Sequence, residues 1–210
     1  MIAEQFEAAF AACPLVAILR GLTPDEAPAI GMELADAGFT LIEVPLNSPE
    51  PFESIRILAD CLQGRAMVGA GTVLAPDEVA QLAAANGQFV VSPNVNPAVI
   101  EATVSAGMAS LPGYYTVSEA FAALASGANA LKLFPADGAP PAMLKAQRAV
   151  LPRDTRILAV GGISETTMQQ WRNAGADGFG LGSNLYKSGK DPTQVAADAK
   201  ALVRAVRTLS

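Results

Sequence analysis

Short apolar runs recur along the chain, each followed by turn residues and then by an alanine-rich helical segment. The runs are Val16–Arg20, Thr40–Leu46, Ala66–Thr72, Phe89–Pro93, Ala109–Pro112, Ala130–Phe134, Arg156–Val160 and Gly178–Gly182. Their starts recur at about 20–25 residues, the spacing of a minimal strand-helix unit. Capping signals mark helix starts at Thr23-Pro24-Asp25-Glu26, Ala75-Pro76-Asp77-Glu78, Thr116-Val117-Ser118-Glu119 and Ser164-Glu165. Glycine or asparagine marks helix ends at Gly38, Asn86-Gly87, Gly107, Gly127 and Gly175. Ile2–Ala12 reads as an extra helix before the first strand, and the last helix starts at Pro192 and runs to about Leu209. Eight strand-helix units without a linker predict an α/β fold, a (β/α)8 TIM barrel with an extra N-terminal helix, as one domain over residues 1–210. A doubly wound open sheet is the competing architecture. The first strand, however, ends in Arg20-Gly21-Leu22-Thr23 and not in its G-x-G-x-x-G turn.

Composition narrows the chemistry. The chain has 210 residues, of which 51% are apolar and 16% charged, enough to bury a core. A formal charge of -6 without basic clusters argues against nucleic acid or an anionic membrane as partner. Residues 8–19 are apolar, but Glu4 and Glu7 precede them where a secretory signal needs positive charge, and Pro14 interrupts them. No run reaches transmembrane length, so a cytoplasmic protein is expected. Cys13 and Cys61 show no CxxC spacing and read as reduced, buried thiols. There is no histidine. This removes Ser-His-Asp and Cys-His nucleophiles and the commonest metal ligand, so no metal and no cofactor are expected.

Any chemistry must then run on lysine, carboxylates, hydroxyls and backbone. The run Ala130-Leu131-Lys132-Leu133-Phe134-Pro135-Ala136 holds a lysine in the middle of an apolar strand. Alternation places Leu131 and Leu133 on one face and Ala130, Lys132 and Phe134 on the other. A desolvated lysine releases its proton more readily and becomes an amine nucleophile. An edge-strand lysine that snorkels to water is the plainer alternative.

Barrel sites lie at the C-terminal strand ends, which here carry Arg20, Glu43 with Asn47, Thr72, Pro93, Lys132 with Phe134, Gly161-Gly162 and Gly182-Ser183. In Leu41-Ile42-Glu43-Val44 the alternation turns Ile42 and Val44 to the helices and Glu43 into the barrel with Lys132. Its alternative role is a structural salt bridge to Lys132 or Arg20. Glycines at the last two strand ends allow backbone N–H groups to approach a phosphate, helped by the helix N-termini that follow. A tight strand-helix turn would also account for them. Trp171 reads as helix-sheet packing.

Ile42-Glu43-Val44, Gly69-Ala70-Gly71-Thr72-Val73-Leu74, Pro112-Gly113, Leu131-Lys132-Leu133-Phe134-Pro135-Ala136, Gly161-Gly162-Ile163-Ser164 and Gly180-Leu181-Gly182-Ser183 together resemble the KDPG/KHG aldolases. These are class I, Schiff-base enzymes acting on 2-keto-3-deoxy-6-phosphosugar acids. The likeness runs in order from about residue 14 to about residue 205. Ala17-Ile18-Leu19-Arg20-Gly21, Pro45-Leu46-Asn47-Ser48-Pro49 and Ala159-Val160-Gly161-Gly162 are more similar to the 2-dehydro-3-deoxy-6-phosphogalactonate branch than to the gluconate branch. The latter tends to have arginine in place of Asn47 and threonine in place of Val160. Arg20 is then the substitute for that arginine toward the substrate carboxylate.

The resemblance implies Lys132 and Glu43 as catalytic residues. It implies Arg20, Thr72, Pro93, Phe134, Val160, Gly161, Gly162, Gly182 and Ser183 as substrate-binding residues, pyruvate and glyceraldehyde 3-phosphate as products, and a homotrimer. Lys132 would form the imine, and Glu43, through a water, would carry protons in both directions. Beside Lys132 an ionised Glu43 raises the lysine pKa, whereas burial and Arg20 lower it. The sequence leaves that balance open. Two other readings stand: 2-dehydro-3-deoxy-6-phosphogluconate/4-hydroxy-2-oxoglutarate aldolase, and a noncatalytic phosphosugar-binding barrel, which has no need of a buried amine.

Overall fold

The structure is a computed structural model that describes residues 2–209. Met1 and Ser210, the ends of the expected 1–210 unit, lie outside the described residues. Nine parallel strands are described: β1 (Leu15–Ile18), β2 (Leu41–Pro45), β3 (Met67–Gly71), β4 (Phe89–Val91), β5 (Ala109–Leu111), β6 (Gly113–Tyr114), β7 (Ala130–Leu133), β8 (Arg156–Val160) and β9 (Gly178–Leu181). Helix α1 (Ile2–Ala12) precedes them. Between and after them come α2 (Ala27–Ala37), α3 (Pro51–Cys61), α4 (Pro76–Ala84), α5 (Pro97–Ser105), α6 (Val117–Ala125), α7 (Pro141–Arg148), α8 (Met168–Asn173) and α9 (Pro192–Arg207).

The strand order is β5-β4-β3-β2-β1-β9-β8-β7-β6. Nine strands appear where eight were expected because Pro112 interrupts the fifth run. Proline has no N–H for the ladder, so the run divides there into β5 and β6. β5 pairs with β4 and β6 with β7, and the Lys132 N–H donates to the Pro112 carbonyl at 2.9 Å. The two halves thus form one stave and the ring closes, giving an α/β TIM-type barrel entered through an N-terminal helix.

The alternation read from the sequence partitions the core. Ile42, Val44, Leu131, Leu133, Ile157, Ala159, Phe179 and Leu181 face outward into the layer beneath the helices. Val16, Ile18, Leu41, Met67, Phe89, Val91, Ala130, Leu158 and Val160 fill the barrel interior. Phe6 and Phe10 of α1 join the interior set and plug the N-terminal mouth. Gly178 makes that seat, since a Cβ there would lie 2.8 Å from the Phe10 ring. Trp171 packs in the outer layer, as expected.

Several boundaries differ from the sequence reading. Thr23 and Glu26 form a capped turn, but α2 itself starts only at Ala27. Ser164 likewise opens a turn closed by Thr167, and α8 starts at Met168. The turn after Gly161-Gly162 runs directly into α8, the Met168 N–H donating to the Ser164 carbonyl at 3.0 Å, whereas Gly182 at the end of β9 is followed by a separate turn and α9 starts only at Pro192. Cys13 is buried, its thiol pushed up to about 11 by desolvation, whereas Cys61 at the end of α3 is exposed. The expectation of two buried thiols holds for Cys13 alone. No described helix is long and apolar enough to cross a membrane.

Candidate active site

Lys132 and Glu43 both point into the barrel and are almost fully buried, at 8% and 2% exposure. Strand β7 places Lys132 level with Gly113 and Leu158, and β2 places Glu43 level with Ile18 and Gly69. Space for the carboxyl comes from Gly71, where a Cβ would lie 2.6 Å from Glu43 Oε1. The two groups do not form a hydrogen-bonded pair among the described residues. Glu43 Oε2 is buried without any hydrogen-bond partner, and a cavity of about 10 Å³ lined by Glu43, Lys132, Val160 and Gly180 lies between the side chains. That is about the space one water molecule needs.

Burial shifts both groups toward their neutral forms. Burial pushes the Glu43 carboxyl up to about 7, although the charges of Lys132 and Arg20 pull it back. Burial lowers the Lys132 ammonium pKa; Glu43 opposes this and Arg20 adds to it. Desolvation thus decides the balance that the sequence leaves open. The Lys132 Nζ also sits 4.6 Å from the centroid of the Phe134 ring. An amine and a carboxyl group so poised can attack a carbonyl and exchange protons with what forms.

Above them a cavity of about 380 Å³ opens at the C-terminal mouth, large enough for a small phosphorylated acid. It shares Ile18, Val160 and Gly180 with the inner cavity. Arg20, Phe134, Val160, Gly161, Gly162, Gly182 and Ser183, all singled out from the sequence, line it. Thr72 and Pro93 stand at the ends of β3 and β4 on the other half of the mouth and line neither cavity. Thr72 has φ 58°, a left-handed conformation uncommon for a β-branched residue.

The charges lining the outer cavity are Arg20 and Lys187, with no carboxylate. Gly161 and Gly162 have φ 113° and 64°, which only glycine adopts without strain. Among the described residues, the N–H groups of Gly162, Ile163, Ser183 and Asn184 donate to no acceptor in the chain. A cradle of free N–H groups beside two cations is suited to an anion. Lys187, with Asn184, Tyr186 and Ser188, escaped the sequence reading. These residues follow the last glycine turn in a loop without periodicity, and the lysine charge there was the available signal.

Comparison with known proteins agrees with this geometry. The family model for KDPG and KHG aldolase matches residues 6–197. The 2-dehydro-3-deoxy-6-phosphogalactonate aldolase of Escherichia coli K12 is 47% identical over 194 residues, covering 92% of this chain and 95% of that enzyme. A probable enzyme of the same name from Rhizobium meliloti is 47% identical, covering 91% of each chain. A solved structure described as native KDPGal superposes with a TM-score of 0.91 at 47% identity, covering 92% of this chain and 94% of that one. The chain belongs to the KDPG and KHG aldolase family.

Proposed function

We propose that this chain is a class I aldolase that cleaves 2-dehydro-3-deoxy-6-phosphogalactonate to pyruvate and D-glyceraldehyde 3-phosphate through a Schiff base on Lys132. The observation that carries the reading is a desolvated lysine inside the barrel, facing a carboxyl group and lying beneath a cationic cavity. A noncatalytic sugar-phosphate binder would gain nothing from a buried amine.

The neutral Lys132 amine attacks the C2 ketone. Glu43, still protonated, gives its proton to the departing hydroxyl, which leaves as water, and an iminium and a Glu43 carboxylate remain. The carboxylate takes the C4 hydroxyl proton while the C3–C4 bond breaks, its electron pair passing into the iminium to give an enamine. Glyceraldehyde 3-phosphate leaves. Glu43 returns the proton to C3, and water hydrolyses the pyruvyl iminium. The cavity of about 10 Å³ leaves room for a bridging water in these transfers.

Arg20 receives the substrate carboxylate; Thr72, at the end of the stave next to that of Glu43, and Pro93, one stave further on, are assigned to the pyruvyl end on the resemblance alone. Phe134 covers the amine. Gly161, Gly162, Gly182 and Ser183 cradle the phosphate, with Lys187 adding charge. Val160 passes C4 without a hydroxyl of its own, which favours the galactonate substrate. We place the enzyme in the cytoplasm, where two free cysteines remain reduced. The resemblance further implies a homotrimer, and Val104 and Phe121, exposed on α5 and α6, offer apolar surface of the kind a subunit contact covers.

Borohydride reduction with pyruvate tests the assignment. It should add a covalent mass to the tryptic peptide containing Lys132. Labelling at Lys145, Lys187, Lys190 or Lys200, or none at all, would exclude it.

A further inference from the structure

We propose that Glu26 is a positioning residue for the loop that receives the substrate's phosphate, an inference that rests on the phosphate site assigned above. Glu26 lines neither cavity. Its Oε2 accepts from the Thr23 N–H at 3.1 Å and the Thr23 hydroxyl at 2.7 Å, as a helix-start carboxylate does. Its Oε1 accepts the Gly189 N–H at 2.9 Å, a partner 163 residues away in the loop between β9 and α9. One carboxylate therefore ties the loop carrying Arg20 to the loop carrying Ser183, Asn184 and Lys187.

The contacts around this tie make it part of a built joint. Tyr186, buried and lining the outer cavity, has its hydroxyl close enough to the Glu26 carboxylate to feel its charge, without a hydrogen bond between the two. Burial, reinforced by the Glu26 charge, pushes that phenol up, so it stays protonated. Gly21 lies against Ser188, where a Cβ on Gly21 would come within 3.3 Å of the Ser188 Cβ. The rest of the loop is fixed from elsewhere: Asn184 donates to the Ile163 carbonyl, and Lys190 donates to the Leu185 carbonyl and to Asp198. Glu26 supplies the fastening on the β1 side.

A negative charge near an anion site cannot help by attraction. Its contribution is geometric: it holds the loop that presents the Ser183 and Asn184 N–H groups at the spacing set by Asn184 and Lys190 on the opposite flank. Burial acts to raise the Glu26 carboxyl, but its hydrogen bonds with Thr23 and Gly189 outweigh this and keep it ionised, the form able to accept at both oxygens.

The test is aldol synthesis from pyruvate with either D-glyceraldehyde 3-phosphate or unphosphorylated D-glyceraldehyde. In Glu26→Ala, KM for the phosphorylated aldehyde should rise by about tenfold with kcat little changed. The kcat/KM for glyceraldehyde should stay within about twofold of the parent, because it leaves the phosphate loop unused. Loss of a helix start alone would lower stability and affect both aldehydes alike. In Glu26→Gln, a single amide oxygen cannot serve both Gly189 and Thr23, so the KM rise should be intermediate, about threefold. This variant decides the matter if the alanine protein does not fold. A parent that favours the phosphorylated aldehyde, with that preference intact in the variants, overturns this proposal alone. A parent without the preference overturns the phosphate site and this proposal with it.

Discussion

The Arg20 guanidinium donates from Nη1 to Asn47 Oδ1 at 2.7 Å, joining the ends of the neighbouring staves β1 and β2. Next to it the Gly21 N–H donates to Ser48 Oγ at 3.0 Å, so two successive residues of one loop hold two of the other. An amide aims the guanidinium without cancelling its charge, which remains available to a substrate carboxylate. Asn47→Asp should cancel it. The KM for the cleaved substrate should then rise about tenfold, and more than in Asn47→Ala, which only frees the side chain. Steady-state kinetics on both variants check this; an aspartate variant that binds better than the alanine variant would place the carboxylate elsewhere.

Lys132 is costly to keep. Its pKa is lowered from the ordinary value of 10.5, so the folded state holds the proton less tightly than the unfolded chain. That cost is present in full below the folded pKa and fades as pH rises toward 10.5. At neutral pH, Lys132→Met should therefore raise the melting temperature, by about 2–6 °C, while abolishing turnover. A melting temperature that falls would mean that Lys132 is paired and structural.

Much of this site was legible because barrel geometry is periodic. Alternation within two short strands sufficed to turn Glu43 and Lys132 inward, and Gly161, Gly162, Gly182 and Ser183 follow from being at strand ends. What escaped was non-periodic or long-range. The division at Pro112 depends on a single missing N–H within an apolar run. The pattern Thr23-Pro24-Asp25-Glu26 marks a capped turn, but its second carboxylate contact is with Gly189 and leaves no local trace. Lys187 and Tyr186 enter the cavity because the β9 loop folds back through the Gly182 turn, where the Leu185 and Tyr186 N–H groups both donate to the Gly182 carbonyl at 2.9 Å. The expected helix start behind Gly182 is absent for a related reason: that turn closes on itself well before α9 starts, whereas the turn after Gly162 continues into α8.

Glu43 makes the opposite demand on pH. Its carboxyl is raised from 4.5 to about 7, so between those values the folded state binds the proton that the unfolded chain has lost. Stability should fall as pH rises through that window. Glu43→Gln removes the decline, gaining up to about 3 kcal/mol over the parent by pH 8 and little at pH 4.5. The same variant should be about 10²–10⁴-fold slower. Denaturant melts at both pH values, with turnover at pH 7.5, test the two statements together. A near-normal rate would make the residue structural.

Gly182 separates phosphate binding from folding. A Cβ on Gly162 would fall 2.8 Å from the Asp137 Cβ at φ 64°, so alanine there strains the fold itself. At Gly182 a Cβ would meet nothing within 4 Å. Gly182→Ala should then leave the melting temperature unchanged while occupying the anion cradle. The KM for glyceraldehyde 3-phosphate in synthesis should rise by about tenfold, and that for glyceraldehyde much less. Equal effects on the two aldehydes would move the phosphate away from this turn.

The proposed reaction makes Val160 the side chain that reads the C4 epimer. It ends β8 immediately before the glycine pair, is 6% exposed, and lines both the inner and the outer cavity. Its methyls fill the space above Gly180, where an added Cβ would come 2.7 Å from Val160 Cγ2. In the proposed reaction, a substrate reaching from Lys132 to the glycine turns passes this side chain near C4. Valine offers a C4 hydroxyl no hydrogen bond, whereas threonine of similar shape would. A single contact of this kind discriminates by about 1–3 kcal/mol, so both epimers should react, with the galacto epimer preferred. Val160→Thr should shift the ratio of kcat/KM toward the gluco epimer by about tenfold or more. Pyruvate release from the two 2-keto-3-deoxy-6-phospho acids, in parent and variant, measures it. A parent that prefers the gluconate substrate would reverse the branch assignment and leave the Lys132 chemistry untouched.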